Sequence, residues 1–291
     1  MEISYYPGCS IKTNGINFET TALAVLSRLD ISAQELASWY CCGVMFSMVS
    51  DNLMHQIAPI RTLIKAKKSG RGRLLTLCSM CYNTLKRAER FMRSDKEKRD
   101  TINEFMDSED TIYNGDEVEV VHILTLLEEV GADIIGKAVK KVESIRVAPY
   151  YGCLLTRPRE VAIDTDVEPT IMERVLEAVG CEPVNFPFKT ECCCSFQVVN
   201  ERRIILDRTK KIVSSAAKHG AELITLSCPL CYYNLDAFQR EISEQDPGFK
   251  TVPVLYLTQL LGFYFDIDPS LNNFALHSID PRPVLKKKGL L

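Results

Sequence analysis

No stretch of this sequence approaches the roughly 18 consecutive apolar residues that a membrane-spanning helix needs. The first ten residues, MEISYYPGCS, have neither a basic start nor an apolar run, so a secretory signal is not expected. Charge of one sign is also lacking. The formal net charge is −3 over 291 residues, which gives nucleic acid no general attraction to the chain. A GxGxxG loop, a phosphate-binding P-loop and a CxxCxxCxxxCP run are all missing. With 46% hydrophobic and 25% charged residues, the balance is that of an ordinary folded protein. The expectation is a cytoplasmic chain that is not membrane-embedded and that binds no nucleic acid.

Cysteine, by contrast, is plentiful. The twelve are Cys9, Cys41, Cys42, Cys78, Cys81, Cys153, Cys181, Cys192, Cys193, Cys194, Cys228 and Cys231. Disulfides are a poor account of them, because a long cytoplasmic chain needs no staples. Neighbours such as Cys41 and Cys42 also bond each other poorly, for geometric reasons. Ligation of a metal or a cluster is the better account.

The cysteines repeat in order. YYPGCS at 5–10, CCG at 41–43 and LLTLCSMCYNTL at 74–85 are followed by PYYGCL at 149–154, CCCS at 192–195 and LITLSCPLCYYNL at 223–235. VHILTLL at 121–127 and VLYLTQLL at 254–261 close the two copies. Apolar, partly β-branched runs predict strands near 2–6, 73–77, 118–122, 144–151, 222–226 and 252–256. Helical periodicity lies between them, as in residues 51–68 and 200–219. The predicted fold class is therefore α/β and internally duplicated, each half a small, mainly parallel sheet with its own cysteine array. The halves are expected at 1–131 and 144–265, with a C-terminal arm at 266–291. Residues 86–110 hold 15 charged residues and predict a solvated helical excursion.

Cys9, Cys78, Cys153 and Cys228 follow predicted strands, and Cys81 and Cys231 open the next helices. Sites in open α/β sheets form at such strand ends, and helix N-termini favour thiolates. Zinc is the serious rival, since CxxC is a common zinc half-site. It takes four ligands, however, and each half offers five thiols from distant segments. Iron–sulfur clusters are the other home for grouped thiolates. Cys181 lies outside the pattern and reads as a packed core thiol.

The array formed by Cys9, the Cys41-Cys42-Gly43 triplet and Cys78-x2-Cys81 resembles the CCG-domain iron–sulfur family. Its second copy, with Cys153, Cys193-Cys194-Ser195 and Cys228-x2-Cys231, makes the chain resemble the B subunit of the CoB–CoM heterodisulfide reductase of methanogenic archaea. The resemblance covers about residues 1–265. Aligning Cys193-Cys194-Ser195 with Cys41-Cys42-Gly43 keeps a small residue after the pair and leaves Cys192 over. The register Cys192-Cys193 stays open beside it. Serine in place of glycine departs from the family pattern and puts the backbone there in question.

The resemblance implies two noncubane [4Fe-4S] clusters, one on each cysteine array. The implied reaction is reduction of the coenzyme M–coenzyme B disulfide to two thiols, each cluster taking one half. That is a two-electron step. The implied partners are the reductase's ferredoxin-like C subunit and flavin-containing A subunit, with a hydrogenase or other electron donor beyond them. The missing flavin and nicotinamide motifs agree with electrons arriving from a partner. The small-molecule disulfide is strongly anionic, so Lys12, Arg157, Arg159 and Lys189, all near the cysteines in sequence, are candidates to hold it. His55, His122 and His219 are expected in structural roles. The other function to weigh is an iron–sulfur electron-transfer component of a lactate, glycolate or glycerol 3-phosphate oxidising complex.

Overall fold

A computed structural model describes residues 1–44, 53–106, 109, 111–137 and 143–291. Short apolar runs make the centres of two sheets. In the first half these are β1 (Glu2–Tyr6), β3 (Arg73–Thr76) and β4 (Glu119–His122), joined by the edge strand β2 (Ser32–Glu35) in the order β2-β1-β3-β4. The second half repeats it with β5 (Arg146–Tyr150), β6 (Glu182–Pro183), β7 (Leu223–Leu226) and β8 (Val254–Tyr256), ordered β6-β5-β7-β8. All pairings are parallel. The central strands are buried on both faces, Leu223–Leu226 along its whole length, as parallel sheets covered by helices require.

The first half carries α1 (Cys9–Thr13), α2 (Ile16–Arg28), α3 (Ile57–Lys68), α4 (Ser79–Ser94), α5 (Lys96–Phe105), α6 (Ile123–Val130) and α7 (Ala132–Lys137). The second carries α8 (Ile171–Ala178), α9 (Arg202–Lys218), α10 (Pro229–Gln245) and α11 (Leu257–Tyr264), and α12 (Arg282–Lys287) lies in the tail. The α/β duplication expected from the repeat is thus present. The charged segment 86–110 is less solvated than its composition predicts. Ala88, Glu89 and Met92 of α4 are buried, and the Glu89 carboxylate accepts from Lys86, Arg93 and the Val120 backbone.

The halves meet reciprocally. Helix α2, after the first strand of one half, packs on α11, after the last strand of the other; α8 packs on α6 in the same way. The Thr21 and Thr258 hydroxyls lie 2.9 Å apart across one contact. Arg174 and Glu128 form an ion pair across the other. The strand ends of both sheets therefore face one seam. The Ser79 hydroxyl donates to the Ser227 carbonyl at 2.8 Å there. Residues 266–291 run back along the chain's own body. The Ser278 and Ile279 N–H groups donate to Asp236, and Thr20 donates to the Leu271 carbonyl.

Candidate metal centre

Each sheet delivers its cysteines to the seam. Gly8 and Gly152, at φ 76° and 67°, turn the chain out of β1 and β5 and present Cys9 and Cys153. Cys78 and Cys228 stand at the N-termini of α4 and α10. The first-turn N–H groups of Leu230 and Cys231 donate to the Cys228 sulfur, a setting that favours thiolate. A side chain at either glycine would crowd a thiol, more tightly at Gly8. A Cβ on Gly8 would lie 2.9 Å from Cys81 Sγ, and one on Gly152 3.3 Å from Cys231 Sγ.

The thiols form a run and, beside its end, a pair. Cys9 Sγ lies 3.8 Å from Cys41 Sγ. Cys41 and Cys81 both hydrogen-bond Cys42, and Cys81 contacts Cys78. Cys78 bonds Cys228 across the seam, and Cys228 bonds Cys231. Cys231 Sγ is 3.4 Å from Cys193 Sγ, while Cys192 bonds Cys153. The shared protons separate the thiols into donors and acceptors. Hydrogen bonds from Cys41 and Cys81 hold Cys42 down to about 3. A bond from Cys153 holds Cys192 down to about 6. Bonds from Cys231 and Cys78 pull Cys228 well down. Cys41, Cys78, Cys81, Cys153 and Cys231 are pushed up, each first by its bond to a neighbouring sulfur.

Cys193 and Cys194, the pair expected from spacing in the second half, have different sulfur neighbours: Cys231 for Cys193 and Cys192 for Cys194. Cys193 is in the run, and Cys192 takes the outer place. Cys194 has a left-handed backbone at φ 59°; its thiol bonds Cys192 and lies 3.8 Å from the Cys192 carbonyl. Cys181 is apart from all of these, buried and bonded to the Tyr264 hydroxyl.

A narrow cavity of about 50 Å³ opens among the second-half thiols. Ser79 and Met80 of the first half line it with Tyr151, Leu154, Ser195, Phe196 and five cysteines, Cys153, Cys192, Cys193, Cys228 and Cys231, and its wall is mostly apolar. Soft thiolates in an apolar pocket fit an iron–sulfur cluster. Among the described residues, no three His, Cys, Asp or Glu side chains are already gathered around a single-ion position.

The candidate substrate cations are mostly engaged. Lys12 pairs with Glu19 at 2.8 Å and Glu35 at 2.7 Å. Lys189 is buried on Glu173 and the Pro169 carbonyl. Arg157 donates to the Thr190 carbonyl, and Arg159 is exposed. His122 is fully buried with Nε2 3.0 Å from the Leu77 carbonyl, and burial lowers it to about 4. His219 sits beside the Ser215 carbonyl at the end of α9.

Two residue pairs escaped the sequence reading. Tyr6 donates to the Tyr40 carbonyl at 2.8 Å, and Tyr150 to the Glu191 carbonyl at 2.6 Å. Burial and the nearby sulfurs push both hydroxyls up, so both stay donors. Asn83 donates to the Leu154 and Arg157 carbonyls, and Asn234 to the Cys193 carbonyl. The signal was present in the repeat itself: a tyrosine two residues before each Gly-Cys, and an asparagine in each CYN or CYYN.

Comparison with known proteins gives the same picture. The family described as "CCG: Cysteine-rich domain" matches residues 3–86 and 147–236. The chain is 30% identical over 267 residues to the membrane anchor subunit of the 8-methylmenaquinol:fumarate reductase of Wolinella succinogenes, covering 91% of this chain and 93% of that one. It is 26% identical to the B subunit of the ferredoxin/F420H2-dependent CoB-CoM heterodisulfide reductase of Methanosarcina acetivorans, covering 92% and 90%. It is 25% identical to a protein of Archaeoglobus profundus described as like the heterodisulfide reductase B subunit, covering 97% and 96%. A crystal structure of a hypothetical protein from Helicobacter pylori shares the fold, with TM-score 0.74 at 13% identity over 95% of this chain. The chain spans about half the length of that structure, 51%. Among the described residues no helix is long and apolar enough to cross a membrane.

Proposed function

Because this chain belongs to the CCG cysteine-rich domain family, we propose that it is an iron–sulfur component of a larger oxidoreductase, with one cluster in each half. The observation that carries this is the run of thiols from Cys9 to Cys193, continuous across the seam through Cys78 and Cys228, with the Cys153–Cys192 pair near its end. In the first half Cys9, Cys41, Cys42, Cys78 and Cys81 would hold the cluster. In the second, Cys153, Cys228 and Cys231 would act with members of the 192–194 triplet. Five thiols exceed the four that a cubane takes, which supports the noncubane [4Fe-4S] type. Such clusters supply one-electron uptake and release. The chain's own residues place the thiols, shield them with Tyr6, Tyr150 and Met80, and bring the two arrays into contact.

The partner chemistry turns on charge. A sulfonate- and phosphate-bearing disulfide needs free cations where it docks. Lys12, Lys189 and Arg157 are already engaged, and the cavity wall beside Cys153 and Cys193 is apolar. These features favour exchange of electrons with an apolar two-electron carrier of the quinol class, as the name of the Wolinella relative suggests. The other components of the complex, with a ferredoxin-like or flavin-containing one among them, belong to the proposal. Heterodisulfide reduction is the second reading, favoured by likeness to the methanogen protein over 92% of the chain.

The test is an anaerobic preparation assayed for iron, sulfide and zinc, then reduced with dithionite. Roughly eight irons per chain are expected. Reoxidation by a soluble naphthoquinone, with no thiol release from the coenzyme M–coenzyme B disulfide, supports the quinol reading. Single-turnover release of both thiols moves the function to the second. Stoichiometric zinc in place of iron removes both.

A further inference from the structure

Around the cysteine pair the two halves correspond contact by contact, and the correspondence selects one register. Tyr6 and Tyr150 occupy equal places, two residues before the glycine that turns each chain out of its strand. Tyr6 donates to the carbonyl of the residue before Cys41; Tyr150 donates to that of the residue before Cys192. Cys9 touches Cys41, as Cys153 touches Cys192. Cys42 bonds Cys81, as Cys193 bonds Cys231. The Gly43 N–H donates to Cys41, and the Cys194 N–H donates to Cys192 Sγ at 3.2 Å. Finally, Gly43 has φ 67° and Cys194 φ 59°. Cys194 is one of four non-glycine residues with positive φ among those described, a conformation that a side chain disfavours.

We infer that the second half ligates its cluster with Cys153, Cys192, Cys193, Cys228 and Cys231, and that Cys194 is a spare thiol standing where the first half has Gly43. This rests on the iron–sulfur reading above and deepens it. The apparent loss of the glycine, read from Ser195, is a shift of one residue: cysteine has replaced the glycine itself. The residue keeps the turn because its N–H is tied to Cys192 Sγ and because Arg208 donates to the Cys192 carbonyl beside it. Among the sulfurs its thiol bonds only Cys192, and it is half-buried, so it is the member of the triplet expected to stay open to reagents after the cluster is in place.

The test uses the full chain, prepared anaerobically, as wild type, Cys194→Gly, Cys192→Ser and Cys193→Ser. Iron and acid-labile sulfide are measured, and the native iron-loaded wild type is alkylated with iodoacetamide and mapped by mass spectrometry. Cys194→Gly is expected to keep wild-type iron. Each serine variant is expected to lose about half, one cluster of two; the half retained shows that the chain has folded. Cys194 is expected to be the alkylated member of the triplet. Iron loss in Cys194→Gly, or full iron in Cys192→Ser, overturns the assignment. A wild type that binds no iron overturns the cluster reading and the assignment with it.

Discussion

At Gly8 and Gly152 the backbone must be left-handed and a thiol stands close to where a side chain would begin. The first contact is the tighter, 2.9 Å to Cys81 Sγ against 3.3 Å to Cys231 Sγ. Gly8→Ala should therefore cost more than Gly152→Ala, on the order of 1–3 kcal/mol for the backbone alone, and should displace Cys81. Iron content and melting temperature of the two variants check this; equal iron in both would show that the sulfur positions are not held so closely. A milder change is Tyr150→Phe. It leaves the Glu191 carbonyl without its donor, a loss of about 1 kcal/mol, and frees the loop that carries the triplet. Weaker cluster retention in the second half, with the first intact, is the expected result. At this scale the cysteines themselves were legible in the sequence, because thiols in a repeated order have few other uses. Which two of three adjacent thiols serve was not legible. Both registers give spacings that resemble the first half, and only the folded contacts and backbone conformation separate them.

Among the elements, β1, β3, β4, β5, β7 and β8 were legible because burial on both faces demands apolar, β-branched runs. The edge strands β2 and β6 were not. Their sequences, SAQE and EP, carry no apolar pattern, and they exist through pairing with β1 and β5. Where the C-terminal arm lies was not legible, since part of its hold comes from a buried acid. Asp236 of α10 accepts from the Ser278 and Ile279 N–H groups, and burial raises it from 3.8 to about 6. The folded chain thus binds this proton more tightly than the unfolded one. Asp236 favours folding most below pH 4, and that favour is lost as pH rises through about 6. Each tenfold gain in proton affinity is worth roughly 1.4 kcal/mol, so the swing is about 2–3 kcal/mol. His122 and His277, both lowered to about 4 by burial, act oppositely as pH falls. The comparison is therefore between wild type and Asp236→Asn. Denaturant unfolding at pH 7 and pH 5 should show wild type gaining on the variant toward pH 5. A constant difference would mean that Asp236 does not titrate in this range.

For the whole molecule, the duplication was plain from the repeated cysteines, yet nothing in the spacing told how the copies face each other. That depends on the two helix contacts across the seam. Every residue of α11 is buried, which its own sheet alone does not achieve; α2 from the other half covers it. Phe18 of α2 is fully buried and stacks on Tyr256 at the end of β8, with ring centroids 4.2 Å apart and planes 7° from parallel. Tyr256 in turn stacks on Tyr232, next to Cys231, at 4.4 Å. A first-half side chain thus supports the ring that backs the second-half thiols. If the halves were independent bodies tethered by residues 132–143, Phe18→Ala would disturb only the first. The seam makes a different demand. Truncating a buried aromatic costs about 3–5 kcal/mol, and here the cavity borders both cores. The iron-loaded chain should unfold in one transition, and Phe18→Ala should lower it as one, with iron leaving both halves together. Two resolved transitions, with only the earlier one shifted by the substitution, would show that the halves fold apart and that the thiol contact at Cys78 and Cys228 does not couple them.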